Sequence, residues 1–364
     1  MQLIDFSKEA ATMAKDAVES TSLPGEINAA SRTLHTQLNR LITTRLPLCL
    51  PPHASSPSLY TTGLLHFAHI YLTFESAWAD LPSSSSSTQT SPLLSFLLID
   101  PRDADDTNPT ITTTPSPQML DFLATLRPKG LARSSRLKRD LQLLTGLSEL
   151  DLSVQLSHFP GPHVQDYCAH IRRTVAQKPH TLVAYAWCYY MAVFSGGRWI
   201  RSELLNKGGE AFWRQGSGKT DEPVPLSEAG LSFLHFPGTE DGIDIKAVFK
   251  QRLEAAETLF TPAERADVIA ESQEIFKYSA ALVHELDANL ATDLQKVAAA
   301  EAAEREQEKD NEKGKEKAGA GDAKIPARQS PHLWFRRPEV TGAALALGCV
   351  ALLAFSHLSM DVFP

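Results

Sequence analysis

The stretch YYMAVFSGGRWIRSEL, residues Tyr189–Leu204, sets two adjacent glycines inside an apolar and aromatic run that otherwise reads as a helix. Each glycine costs a helix interior about 1 kcal/mol relative to alanine, so the missing side chains must serve something. Gly196 and Gly197 let another body approach the helix backbone closely. That body is either a neighbouring helix, the ordinary packing case, or a flat cofactor lying across the helix. A cofactor would need a ligand on the opposite wall and countercharges for any acidic groups it carries. Other chemistry is sparse. His66 and His69 share a helix face at three-residue spacing, which suits a metal pair or, more simply, packing. GSGK at Gly216–Lys219 lacks the Walker spacing, and no nucleophile elbow surrounds any serine. Cys49, Cys168, Cys188 and Cys349 show no close pairing, so neither a zinc site nor a disulfide framework is indicated.

The elements that must position such a site are helical. Ile27, Ala30, Leu34, Leu38, Leu41 and Ile42 recur at three and four residues and give one apolar stripe. Tyr60–Trp78 reads as a second apolar helix. Helical periodicity resumes at MLDFLATL and continues through RLKRDLQLLTGL, HVQDYCAHIRRTVAQ, the glycine-broken helix and IDIKAVFKQRLEAAETLF. Thr261, Pro262 and Glu264 mark a strong helix start for the segment that follows. No stretch is rich in strand signals, so the fold class is all-α, a multi-helix bundle.

The chain divides accordingly: a polar segment over 1–23, a helical domain over 24–296, a charged flexible linker over 297–339 and an apolar tail over 340–360. Within the domain, 82–118 is rich in Ser, Thr and Pro and reads as a disordered insertion with an apolar patch at Leu93–Ile99. With 43% of 364 residues hydrophobic, the domain can bury one substantial core. The formal charge of −8 argues against bulk nucleic-acid binding. The opening residues show no signal-peptide pattern. Val340–Met360 contains no Asp, Glu, Lys or Arg and is long enough to span a bilayer. Arg336 and Arg337 before it put the main domain on the cytosolic side. The expectation is a single-pass tail anchor, a C-terminal transmembrane helix.

Four segments, in this order, carry a resemblance: HTQLN (His35–Asn39), HIYLTFE (His69–Glu75), LVAYAWCYYMAVFSGG (Leu182–Gly197) and GLSFLHFP (Gly230–Pro237). Together with the later VFKQR and TPAERADVIAESQEIF they resemble the haem oxygenase family over roughly 24–290, apart from the insertion. The resemblance implies a haem enclosed between a proximal helix and a distal helix kinked at Gly196 and Gly197. It implies that His35 is the axial ligand of the haem iron, although a lone histidine on an amphipathic helix is ordinarily structural. Asn39, one turn on, would accept a hydrogen bond from the second ring nitrogen, where the family commonly has a carboxylate. Arg32 occupies a basic position. Lys246 and Lys250 match a basic pair that holds the haem propionates, and Arg252 follows the same pattern. Trp187 would line the cofactor edge, where tyrosine is usual. Without the resemblance these charges read as a solvated helix face.

The implied activity is oxidative cleavage of haem b to biliverdin, iron and carbon monoxide. O₂ would be the oxidant, with electrons from NADPH through a flavoprotein reductase. The six basic residues between Arg127 and Arg139 are either a docking surface for that reductase or one solvated helix face. The family location is the endoplasmic reticulum membrane. A further departure bears on the chemistry: Ala192, Val193 and Phe194 stand where the family has Gly-Asp-Leu, so Val193 replaces an aspartate that organises distal water, and valine neither accepts nor relays a hydrogen bond. The alternatives are therefore a membrane-tethered haem-binding protein, a sensor, buffer or carrier with weak or lost oxygenase activity, and a cofactor-free helical scaffold.

Overall fold

In the computed structural model, residues 22–81, 115–214, 230–293, 295–299 and 302 are described. Apart from 297–299 and 302, the expected linker lies outside them, as do the apolar segment Val340–Met360, Leu93–Ile99 and GSGK. Among the described residues no helix is long and apolar enough to cross a membrane. Every long element there is helical, in keeping with the all-α expectation.

Helix α1 spans Leu23–Arg45. Ser22 caps it by accepting from the Gly25 amide at 3.1 Å, Pro24 sits in its first turn, and Glu26 complements the positive end of the helix dipole. Leu23 is fully buried, so the helical domain starts slightly before the expected boundary at residue 24. Ile27, Ser31, His35, Leu38 and Ile42 form the buried stripe. Helix α2 (Ser58–Ala79) is buried around most of its circumference, as its nearly continuous apolar sequence requires. Helix α3 (Pro117–Leu126) begins with Ser116 accepting from the Met119 amide, which places Pro117 and Gln118 in a helix and not in the insertion. Helices α4 (Ser134–Thr145), α5 (Glu149–Leu156) and α6 (Pro162–Gln177) follow.

The glycine-bearing run comes next. It starts as α7 (Leu182–Tyr185), widens into π1 (Ala186–Tyr190), widens again into π2 (Val193–Gly197), and continues as α8 (Arg198–Arg214). Gly196 and Gly197 end a π-helical segment. A non-helical break lies further on at Gly209, whose φ of 72° is the left-handed geometry that only glycine enters without strain. At the expected position the chain changes helical register, a device frequent at functional sites. Two helices complete the bundle, α9 (Ile243–Ala255) and α10 (Pro262–Asn289). Thr261 and Glu264 form a full capping box at the start of α10. Val297 is buried against Leu48 and Leu59, so the domain runs one residue past its expected end at 296.

Helix α1 lies along α10 and is tied to it near both ends. Arg265 donates from Nε to Glu26 at 2.8 Å, and Gln273 donates to the Ala30 carbonyl at 3.0 Å. At the other end, buried Arg45 grips Asp287 through Nε and through Nη2, the latter at 2.7 Å. Such bidentate pairs fix register as well as position.

Candidate functional site

The centre of α1 is where its polar partners run out. The His35 side chain is 9% exposed, its ring stands edge-on to Phe276 of α10 at 5.6 Å, and Nε2 is buried with no hydrogen bond. Burial lowers its pKa from 6.5 to about 4, so the imidazole is neutral at neutral pH with a lone pair available. One turn on, Asn39 Oδ1 is buried and also accepts nothing. The expected hydrogen bond from the His35 ring to Asn39 is therefore not made. Arg32 is exposed, on a flank of the buried stripe of α1.

The glycine run is held by hydroxyl groups. Tyr185 donates to Glu271 of α10, which also meets His170 Nε2 at 2.9 Å. The Tyr189 hydroxyl lies 2.9 Å from that of Tyr167 and 3.2 Å from Ser279 Oγ. Tyr190 donates to Glu75 of α2 at 2.9 Å. The same carboxylate accepts from the Arg133 and Ser134 amides at 2.7 and 2.9 Å, and so caps the start of α4. Burial, aided by the neighbouring anions, raises the pKa of Tyr185 and Tyr190, so both stay protonated as donors. Phe74 stacks on Tyr185 and Tyr189. The tyrosine spacing in YAWCYY is the signal that could have revealed this pinning from sequence.

Trp187 joins three elements. Its Nε1 donates to Asn28 of α1 at 2.9 Å, and its ring stacks on Phe249 of α9 with centroids 6.4 Å apart. This brings the His35 helix, the glycine run and the lysine helix to one place. On α9 the buried stripe is Ile245, Phe249 and Leu253. At about 100° per residue, Lys246 and Lys250 share one flank of that stripe and Arg252 lies on the other. Lys250 is exposed and Lys246 partly so, while Arg252 donates to the Thr125 carbonyl. The three expected countercharges are thus two on one flank and one apart.

Around the glycines the packing is close. A Cβ at Gly197 would stand 3.4 Å from Val193 Cγ1 and 3.5 Å from Leu234 Cδ2. Phe194 stacks on Phe236 at 4.5 Å. Val193 is fully buried and apolar. Ser195, which sequence reasoning passed over, is 4% exposed and its hydroxyl makes no hydrogen bond. Asp140 was also passed over. It is fully buried and accepts from the Ser232 hydroxyl and amide and from the Phe233 amide, fixing the loop that leads to Leu234.

Two expected side features come apart. Of the six basic residues between Arg127 and Arg139, Arg133 is fully buried and donates to the Leu131 and His235 carbonyls, and Arg127 lies over the Trp78 ring at 4.4 Å. His66 and His69 face different partners: His66 Nε2 is 3.0 Å from Glu285 Oε1, and His69 packs on the Phe159 ring at 5.4 Å.

The arrangement defines a helical protein in which a buried neutral imidazole on one helix and a glycine-bearing π-helical run on another lie in one bundle. Residues 119–285 match the family model described as Heme oxygenase. The matched span holds the glycine run and the lysine helix; α1 with His35 precedes it. Over 164 residues the chain is 28% identical to the heme-binding protein HMX1 of Saccharomyces cerevisiae, covering 42% of this chain and 50% of that protein. It is 26% identical over 166 residues to heme oxygenase 1 of Homo sapiens, covering 46% of this chain and 50% of that protein. The chain thus spans about half the length of the curated relatives it matches. A structure of heme oxygenase 2 from Chlamydomonas reinhardtii, solved without heme, overlays with a TM-score of 0.49 and 17% identity, covering 72% of this chain and 96% of that one.

Proposed function

We propose that this chain binds haem b through His35 and opens the ring slowly, in the manner of a haem oxygenase with an impaired proton supply. The observation that carries the reading is the buried, neutral and unpartnered Nε2 of His35. A buried nitrogen left without a partner costs about 1–3 kcal/mol, and an axial bond to iron would satisfy it. Haem supplies the site for reducing O₂ and is itself the molecule oxidised, to biliverdin, iron and carbon monoxide; electrons come from an NADPH-dependent flavoprotein reductase.

The chain's own residues would act as follows. His35 holds the ring from one side. Lys246 and Lys250 meet the propionates at the rim and set the ring's orientation. Gly196 and Gly197 keep side chains off the opposite face. Val193 closes that face with an apolar wall that excludes water but holds none. Ring opening needs a proton delivered on the Val193 side, and no Asp or Glu lies between His180 and Ser202 to organise it. The reading includes a membrane tether at Val340–Met360 with the domain facing the cytosol, supported by the uncharged length of that segment behind Arg336 and Arg337.

The test is a single-turnover assay of the haem complex with reductase, O₂ and catalase. Slow biliverdin formation from the parent, with a higher yield in Val193→Asp, is expected. Rapid stoichiometric conversion by the parent, with no gain in the variant, would refute the impaired proton supply. An unchanged axial ligand in resonance Raman of His35→Ala would refute the ligand assignment.

A further inference from the structure

Four of the chain's seven tyrosines form one continuous array. Tyr278 of α10 lies flat on Tyr167 of α6, with centroids 4.7 Å apart and planes 4° from parallel. The Tyr167 hydroxyl is 2.9 Å from that of Tyr189 in π1. Tyr189 is in turn stacked with Tyr185 at 6.4 Å, and Phe74 covers both rings. Both stacks fall within the separation over which aromatic rings interact. The array runs from half-buried Tyr278 at the α6–α10 surface to Tyr185, which is fully buried.

The inner end carries something that packing alone does not ask for, a proton acceptor. Tyr185 donates to Glu271, and Oε1 of the same carboxylate meets Nε2 of His170 at 2.9 Å. The Glu271 side chain is 7% exposed and that of His170 16%, so the imidazole is the end of this triad nearer to solvent. Tyr190 also donates to a buried carboxylate, Glu75, but that group is held by two backbone amides. Glu271 is held instead by two side chains that exchange protons. Burial, then the neighbouring Glu271, keeps the Tyr185 phenol well above its ordinary pKa, so it does not ionise by itself. Its proton leaves only when an electron leaves as well. An acceptor already in hydrogen-bond contact is the arrangement such a transfer requires.

We propose that this array is a radical relay. Tyr185 holds a one-electron oxidising equivalent as a neutral tyrosyl radical, and Tyr189, Tyr167 and Tyr278 carry electrons between it and the α6–α10 surface. The proposal stands apart from the haem reading. The oxidant is of the peroxyl-radical class and meets the chain at Tyr278. It takes one electron there and one proton from solvent, and becomes a hydroperoxide. The O–H bond of Tyr185 breaks: its electron passes outward along the rings and its proton passes to Glu271. Tyr278, Tyr167 and Tyr189 each regain the electron they give up, so only Tyr185 ends oxidised. A soluble one-electron reductant of the ascorbate class returns the electron through Tyr278, and the proton goes back from Glu271 to the Tyr185 oxygen.

The test uses the full-length, haem-free protein with photogenerated tris(bipyridine)ruthenium(III) as the surface oxidant. Transient absorption follows the tyrosyl radical, and electron paramagnetic resonance identifies it in frozen samples. The parent should give a long-lived neutral tyrosyl radical. Tyr185→Phe should lose that long-lived component because the resting site is gone, and Tyr167→Phe should lose it because the path is cut. Both variants keep the ring, so circular dichroism should show the helix content of the parent. Glu271→Gln should lose the same component with Tyr185 still in place, because an amide does not take the proton. Tyr60 donates to the Gly230 carbonyl and stands edge-on to Trp213; Tyr60→Phe should leave the radical lifetime unchanged. A parent that gives no long-lived radical would overturn the proposal. So would a parent-like lifetime in Tyr167→Phe or Tyr185→Phe, or an equal loss in Tyr60→Phe, which would mark the effect as general loss of packing.

Discussion

Helix α1 and the glycine run leave their polar groups bare in different ways. Helix α1 is tied near both ends, by Glu26 to Arg265 and by Arg45 to Asp287, and its middle residues His35 and Asn39 are left unmatched. The glycine run is tied along its first half, where Tyr185, Tyr189 and Tyr190 each find a buried oxygen, and it leaves Ser195 unmatched in π2. In both, the groups that fix the element in space lie at least one helical turn from the group that is free to bind something. Anchoring groups and unpartnered polar groups thus occupy separate stretches of the same helix. Substitutions should therefore separate into those that move stability and those that move ligation.

The largest expected effect is on the anchoring side. Asp287→Ala strands the Arg45 guanidinium in a site where both side chains are under a tenth exposed, and losing one partner of such a pair costs about 3–5 kcal/mol. Urea unfolding should show this as a lower midpoint. The double variant Arg45→Met with Asp287→Leu should recover most of the loss, because it leaves no buried charge behind. His35→Ala should cost far less stability and yet abolish histidine ligation of haem, with added imidazole restoring part of the spectrum. Equal destabilisation by His35→Ala and Asp287→Ala would erase the distinction between anchor and ligand.

A smaller effect follows from titration. His35 has its pKa lowered by burial to about 4 from 6.5, so the unfolded chain takes up the proton first as the pH falls. The stability is whole above about pH 6.5 and is lost progressively down to about pH 4, at no more than about 1.4 kcal/mol per pH unit for this one group. His66 and His69, lowered by burial to about 3 and about 4, act with the same sign. Replacing His35 by Phe should flatten the slope of urea midpoint against pH in that window. An unaltered slope would mean that the ring is already solvated in the folded protein.

The helices themselves were legible because they follow period and capping: Ile27, Leu38 and Ile42 of the expected α1 stripe are buried, with Ala30, Leu34 and Leu41 half-buried beside them, and the Thr261 capping box forms. The change of register at Val193–Gly197 was not. Adjacent glycines suggest a kink, but whether they bend, widen or simply pack depends on neighbours such as Leu234, which stand forty residues away in sequence. The basic run at Arg127–Arg139 misled for a similar reason, since composition does not reveal that Arg133 turns inward to cap carbonyls. Ser195 was invisible because its significance is the absence of a partner, which no local pattern encodes. His35 was singled out by resemblance to a family; that its Nε2 is buried without a partner is visible only in the fold.

The smallest effect concerns the rim, and it sharpens the same contrast. Lys246 and Lys250 share one flank of α9, beside the Phe249 ring that stacks on Trp187, while Arg252 sits on the other flank with its guanidinium at the Thr125 carbonyl. If the lysine flank meets the propionates, changing both lysines to Glu exchanges attraction for repulsion. The charges are partly or fully exposed, so each contact is screened, and the expected loss of haem affinity is about two- to tenfold at low salt. The loss should shrink as salt is added, and the orientation of bound haem should scatter in a paramagnetic NMR spectrum. Arg252→Glu should change neither quantity, because that side chain belongs to the α3–α9 contact; its effect should be a lower thermal midpoint. A stronger haem defect from Arg252→Glu than from the lysine pair would place the rim on the wrong flank of α9, and the route by which Trp187 links the His35 helix to that flank would have to be redrawn.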